Sequence, residues 1–236
     1  MLLKWQEEEK KMTDRRTLYH YSLCPFSRKV RLVLFEKGLP YAMIFETPWT
    51  RRPEFLQISP LGSIPVLIEP DGHALTDHVA ICEYLNEIKP TPNLLGETPR
   101  GRAEVRRITN IFDGDFYMDV FKPLVGERVF KALKTGAAPN SNMIRVGREN
   151  LKRYIGYLDW LAARRSYLGG RNLSIADLTA AAHLSVLDYL GEISWENYPD
   201  AKLWYAKIKS RPAFSSLLHD KLTGIMPSST YANLDF

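Results

Sequence analysis

Between Thr17 and Ile88 the chain alternates short β-type runs and helical stretches in one order: strand, helix, strand, then strand, strand, helix. Thr17 to Tyr21 is the first β-type run, and Pro25 follows where a first helical turn tolerates its missing N–H. Val30, Leu32, Val33 and Leu34 give the stretch from Pro25 to Lys37 its apolar faces, and Gly38 suits the position just past its end. Tyr41 to Phe45 reads as a second strand. Gly62 precedes a third, Val66-Leu67-Ile68, and Asp71-Gly72 turns the chain into a fourth around Ala74-Leu75. From Asp77 a helix runs to about Ile88, with Val79, Ile81, Cys82 and Leu85 facing inward. This order predicts a small α/β domain over residues 17–89, after a polar N-terminal extension, 1–16.

The rest of the chain changes character. Lys89-Pro90-Thr91-Pro92 opens a linker, 90–98. After Pro99 a long helical segment carries Val105, Ile108, Phe112 and Phe116 at spacings of three and four, and Gly136 to Asn140 interrupts it. Leu151, Tyr154, Ile155, Leu158 and Leu161 mark the next helix. Ser174-Ile175-Ala176-Asp177 is a capping box with Asp in place of Glu, and Leu173 and Leu178 fall at the staple positions around it. Pro199 to Ser210 and Pro212 to His219 are two last short helices. The expectation is an all-helical domain over 99–220 and a tail, 221–236, without periodicity.

Composition narrows the classes of function. The chain has 236 residues, a net charge of +5 and two cysteines, Cys24 and Cys82. Its Lys and Arg are spread along the chain, so nucleic-acid binding is not expected. No stretch of 18 apolar residues exists, which excludes a spanning helix and membrane insertion. Met1 to Lys11 has no apolar core of a signal peptide, and Met12 offers an alternative start. Two cysteines without an export signal point to a reducing, cytoplasmic setting. His20, His73, His183 and His219 have no metal-ligand spacing, and no metal is expected.

Three features carry candidate chemistry. Cys24 stands between the first strand and the first helix, where unpaired N–H groups and the helix dipole favour thiolate. The bland alternative is a small buried hydrophobe. Tyr21 and Ser22 are weaker candidates for activating a bound thiol. Trp49 lies in a loop with Pro48, Thr50, Arg51, Arg52 and Pro53, and an aromatic beside two Arg is a plausible protein contact. In the tail, Tyr231, Leu234, Asp235 and Phe236 offer a docking motif, against the bland reading of a frayed end. Tyr117, Asp119 and Arg106 suit either a cleft between the domains or a dimer face.

Tyr21-Ser22-Leu23-Cys24-Pro25-Phe26-Ser27, Ser63-Ile64-Pro65-Val66, Thr76-Asp77-His78 and the Leu-Ser-Ile-Ala-Asp-Leu string together resemble the glutathione transferase superfamily over about residues 17 to 220. The resemblance implies a thioredoxin-like domain followed by an all-α domain, and a homodimer. It implies a cis bond before Pro65 and a backbone at Ile64 that pairs with the cysteinyl part of glutathione. It implies that an acid followed by Ser would hold the γ-glutamyl end of that peptide. Here the acid is Asp77, one methylene shorter than Glu, and the Ser is replaced by the bulkier His78, so Cys24, Ile64, Pro65, Asp77 and His78 read as a degenerate glutathione site. The chain is also similar to a glutathione-transferase-like group of α-proteobacteria, the FzlA family, whose members bind the tubulin-like division protein FtsZ and regulate constriction. That likeness implies a non-catalytic, dimeric adaptor at the division site, with no cofactor and with Trp49, Arg51, Arg52 and the tail as contacts. The alternative it leaves is a glutathione-dependent thiol transferase with Cys24 as nucleophile and no second Cys at Ser27 to resolve a mixed disulfide.

Overall fold

The computed structural model describes residues 15–234, in two units that divide after Pro92. The first unit holds one four-stranded sheet of β1 (Arg16–His20), β2 (Tyr41–Phe45), β3 (Val66–Ile68) and β4 (Ala74–Thr76), in the order β2-β1-β3-β4. β1 and β2 are parallel, joined through helix α1 (Pro25–Glu36), because a parallel pair needs a crossover. β3 runs antiparallel to both β1 and β4. Helix α3 (His78–Ile88) closes the unit and packs on α1. Leu18, Val30, Val33, Val66, Ile81 and Leu85 form its core.

Two local features depart from the sequence reading. The segment after β2, expected as a loop, forms a 3₁₀ turn at Pro48–Thr50 and then a short helix α2 (Pro53–Ile58). Both elements carry Pro in their first turn, so the prolines that read as loop punctuation are helix starters here. The far end of α1 is also held by a buried cation. The Lys37 ammonium donates to Asn86 Oδ1 at 2.7 Å, to the Lys89 carbonyl at 2.8 Å and to the Pro92 carbonyl. It thereby satisfies carbonyls at the end of α3, where a positive charge is favoured.

The second unit is helical. Its first helical run passes from α4 (Pro99–Asn110) through a π-helical segment (Ile111–Phe130) into α5 (Lys131–Thr135), and Gly136 ends it at φ +68. The sequence predicts the run and its end but not the wider π winding, in which the Lys131 N–H reaches back to Gly126 O. Helices α6 (Ser141–Ala162), α7 (Ile175–Tyr189), α8 (Pro199–Lys209) and α9 (Pro212–Leu218) complete the unit. α6 lies close along the π-helical segment at Gly147, where a Cβ would come within 3.0 Å of Leu124 Cβ. Every residue of α7 is buried, as befits a helix at the centre of its unit.

The start of α7 is fixed by the capping box that the sequence shows. Asp177 does more there than cap. Its Oδ2 accepts from the Ser174 N–H at 3.0 Å and the Ser174 hydroxyl at 2.9 Å. Its Oδ1 accepts from the Leu168 N–H at 2.8 Å and the Trp204 indole N–H at 3.0 Å. Burial pushes this carboxyl's pKa up, against the pull of the donors around it. One buried side chain thus joins α7, α8 and the turn after α6. Asp177→Ala strands these donors, and urea denaturation is expected to show a loss of about 3 kcal/mol or more. Asp177→Asn, which keeps the shape and one acceptor oxygen, is expected to lose less.

Candidate functional site

The predicted site residues of the first unit gather around the N-termini of α1 and α3. Cys24 is the residue before α1, with φ −84 and ψ 114. The turn that presents it is held from several sides. The Cys24 N–H donates to Tyr21 O at 3.0 Å, and the Arg28 N–H donates to Cys24 O at 3.0 Å. The Arg28 guanidinium, itself buried, donates from Nε to Ser22 O at 2.6 Å.

The thiol is not activated in the way its position predicts. Burial pushes the Cys24 pKa up. Hydrogen bonds from the Ser27 side chain and from the Ser27 and Phe26 N–H groups, with the Arg28 charge, pull it down without prevailing. The sequence argument counted the helix N-terminus and omitted the desolvation that tertiary packing adds. Tyr21 is buried as well, and that burial pushes its phenol up to about 12, so it keeps its proton at neutral pH.

Asp77 and His78 sit where β4 passes into α3. Asp77 has φ +73, an uncommon conformation for a side chain with a Cβ. Its Oδ1 accepts from the Val79 N–H at 2.8 Å and the Ala80 N–H at 3.0 Å, so the carboxylate caps its own helix. The His78 ring lies flat on Phe26, with centroids 4.2 Å apart and planes 6° from parallel. Its Nδ1 is 2.8 Å from the buried Lys29 ammonium. An ammonium only donates, so Nδ1 accepts and the ring hydrogen belongs on Nε2. His78 therefore joins the first turn of α1 to the first turn of α3. Pro65 is buried just before β3, and the Ile64–Pro65 bond is cis, as the resemblance implies.

The Trp49 group lies at the same end of the unit. The Trp49 ring meets Tyr21 edge-on at 5.0 Å, and Tyr21 in turn packs on Phe45 at 5.0 Å. Met43, Ile44 and Phe45 of the edge strand β2 are exposed beside this chain of rings. The two arginines differ in role. Arg51 is exposed, with φ +48. Arg52 grips the buried Glu46 with Nη2 at 2.6 Å and Nε at 3.4 Å, and this partner raises its pKa. Arg52 is exposed and at the same time ion-paired within its own unit. Glu46, Phe26 and Lys29 were missed in the sequence, where a charged residue after a strand and a helix-face Phe or Lys carry no signal of their own.

The tail reading divides. Tyr231 is 1% exposed, donates its hydroxyl to Leu217 O at 2.9 Å and meets Tyr189 edge-on at 5.1 Å. It anchors its own unit and is not a surface contact, because the Ser228 N–H bond to Tyr189 O at 2.7 Å draws the segment inward. Leu234 is exposed, and Asp235 and Phe236 lie outside the described residues. Among the described residues no cluster of His, Cys, Asp or Glu could hold a metal, and no helix is long and apolar enough to cross a membrane.

Comparison with known proteins places these features in context. The family model described as the glutathione S-transferase N-terminal domain matches residues 23–88, and that of the C-terminal domain matches residues 128–221. The chain is 42% identical to FtsZ-localized protein A of Caulobacter vibrioides over 228 residues, 95% of this chain and 100% of that protein. A crystal structure titled as a glutathione S-transferase from Rhodospirillum rubrum is 48% identical, with a TM-score of 0.92, covering 94% of this chain and 100% of that one. A structure titled FzlA from C. crescentus is 42% identical with a TM-score of 0.92, over 94% and 100% of the two chains.

The raised Cys24 thiol has a direct readout. Iodoacetamide labelling, followed by mass spectrometry of the Cys24 peptide, is expected to run slower at pH 7 than labelling of an unstructured cysteine peptide. It should accelerate only above about pH 8.5, the ordinary thiol value. A rate already at its plateau at pH 7 would mark an activated thiolate.

Proposed function

We propose, for a chain that belongs to the glutathione S-transferase family, a non-catalytic role: it is an adaptor that associates with FtsZ at the division site in the cytoplasm. The observation that carries this reading is the state of Asp77 and His78. The Asp77 carboxylate is spent on the N–H groups of α3, and the His78 ring is held by Phe26 and Lys29. These two positions, where the family resemblance implies a clamp for the γ-glutamyl end of glutathione, serve the fold instead. The upward-shifted Cys24 thiol supports the same conclusion. The likeness to FtsZ-localized protein A supports the partner.

The contact surface in this proposal is Trp49 and Arg51 with the exposed Met43, Ile44 and Phe45 of β2. Trp beside Arg is a composition enriched among residues that dominate binding. A homodimer would present two such surfaces, bridge neighbouring filaments and raise the apparent affinity through avidity. Constriction would be regulated through that bridging.

A second reading, a glutathione-dependent thiol transferase, rests on the position of Cys24 before α1. Calorimetry with reduced glutathione separates the two. No heat at millimolar peptide, and no thiol-transfer activity, is the expected outcome. Saturable heat, with turnover that Cys24→Ser abolishes, would establish the enzyme instead.

The partner surface is tested separately. Trp49→Ala is expected to reduce co-sedimentation with FtsZ polymers about tenfold in affinity, a loss of about 1.4 kcal/mol. Trp49 packs on Tyr21, so circular dichroism must first show the variant folded. The exposed Arg51→Ala gives an independent check, and wild-type co-sedimentation for both variants would remove this surface from the proposal.

A further inference from the structure

A cavity of about 410 Å³ opens in the second unit between α6 and the connection from α7 to α8. Its α6 wall is Arg148, Leu151, Lys152 and Ile155, at the steps of three and four that put side chains on one face of a helix. Its other wall is the connection itself, from Gly191 to Tyr198. Leu151 and Ile155 are buried and, with Ile193, give the cavity an apolar lining. The volume falls in the range of small-molecule sites, which pair such a lining with a few placed polar groups.

The connection is fixed from within its own unit. Gly191 turns it at φ +67, where a side chain would be strained. The Glu192 N–H donates to Leu187 O at 2.9 Å, and the Tyr198 N–H donates to Trp195 O at 3.0 Å. Just beyond, the Ala201 N–H donates to Asp159 Oδ1 of α6 at 2.9 Å. The Glu192 side chain is 4% exposed and is gripped from two elements. Arg148 of α6 donates to it from Nε at 2.8 Å and from Nη2 at 3.1 Å, and Arg128 of the π-helical segment pairs with it as well. Walls set in advance lower the ordering cost of binding.

Ion pairing does not neutralise this wall. Lys152 pairs with Glu149 at 2.9 Å, so three cations, Arg128, Arg148 and Lys152, meet two carboxylates, Glu149 and Glu192. Burial and the Arg148 charge push the Arg128 pKa down, yet a guanidinium keeps its proton at neutral pH. Arg148 spends Nε and Nη2 on Glu192, and its Nη1 has no acceptor among the described residues. The Ser194 hydroxyl, the Asn197 amide and the Tyr198 hydroxyl line the same cavity and make no hydrogen bond among the described residues. We infer that the cavity is a binding site for a small carboxylate with an apolar body. Arg148 Nη1 and the neighbouring hydroxyl and amide donors receive the carboxylate, and the body lies against Leu151, Ile155 and Ile193. One positive charge in excess matches a monoanion better than a phosphate dianion. The inference rests on neither the FtsZ reading nor Trp49.

The probe is 4-phenylbutyrate, titrated against the full-length protein and read by saturation-transfer NMR on the ligand. A Kd below about 1 mM is expected. 4-Phenylbutan-1-ol keeps the body without the charge, acetate keeps the charge without the body, and each is expected to bind at least about fivefold more weakly. Arg148→Gln, in which Arg128 still holds Glu192, should weaken the acid about fivefold and leave the alcohol unchanged. Ser194→Trp, at an exposed position, places an indole in the cavity and should abolish binding of both. Circular dichroism checks each fold. Equal affinity for acid and alcohol, or for acid and acetate, overturns the inference. So does binding that survives Ser194→Trp, since the acid then sits elsewhere, and so does an acid that does not bind the wild-type chain.

Discussion

The contact of His78 with Phe26 and Lys29 is the constraint on which the character of the first unit depends. It joins the first turns of two helices through one imidazole, stacked on a ring at 4.2 Å and accepting from an ammonium at 2.8 Å. A small hydroxyl at that position could not span to α1, and would leave the N-terminus of α3 facing outward for a ligand's carboxylate. With His present, the polar groups of the turn find partners inside the chain. Asp77 completes the effect by capping α3 itself.

The two units contrast in how their helix-capping carboxylates are used. Asp177 is buried and satisfies donors from three segments. Asp77 is exposed, lies at a positive φ, and performs a modest local task that a Ser or Asn could share. Helix-capping chemistry is intact at both positions. Exposed aromatic side chains occur at Phe45 of β2 and Trp160 of α6, and the exposed Arg51 follows the 3₁₀ turn.

Much of this was legible in the chain. The strand order followed from apolar runs separated by Gly-containing turns, because a strand's side chains repeat every second residue and its turns need particular residues. The capping box at Ser174 was legible because its partners lie three residues apart. The roles of Arg52, Tyr231 and Lys29 were not. Glu46 grips Arg52 only because a 3₁₀ turn folds the chain back, and Tyr231 meets Leu217 and Tyr189 across 14 and 42 residues of sequence (231 − 217 and 231 − 189). No local pattern encodes such pairings.

The sequence by itself determined most of the elements, the family and the presence of His at position 78, since these depend on residue type and short-range spacing. Only the tertiary structure decided what that histidine does, which way the Cys24 thiol shifts and which exposed side chains are left for partners. The physical reason is that desolvation and hydrogen-bond commitment are properties of the packed environment. A helix N-terminus lowers a thiol's pKa in isolation, and the protein packed around Cys24 reverses that direction.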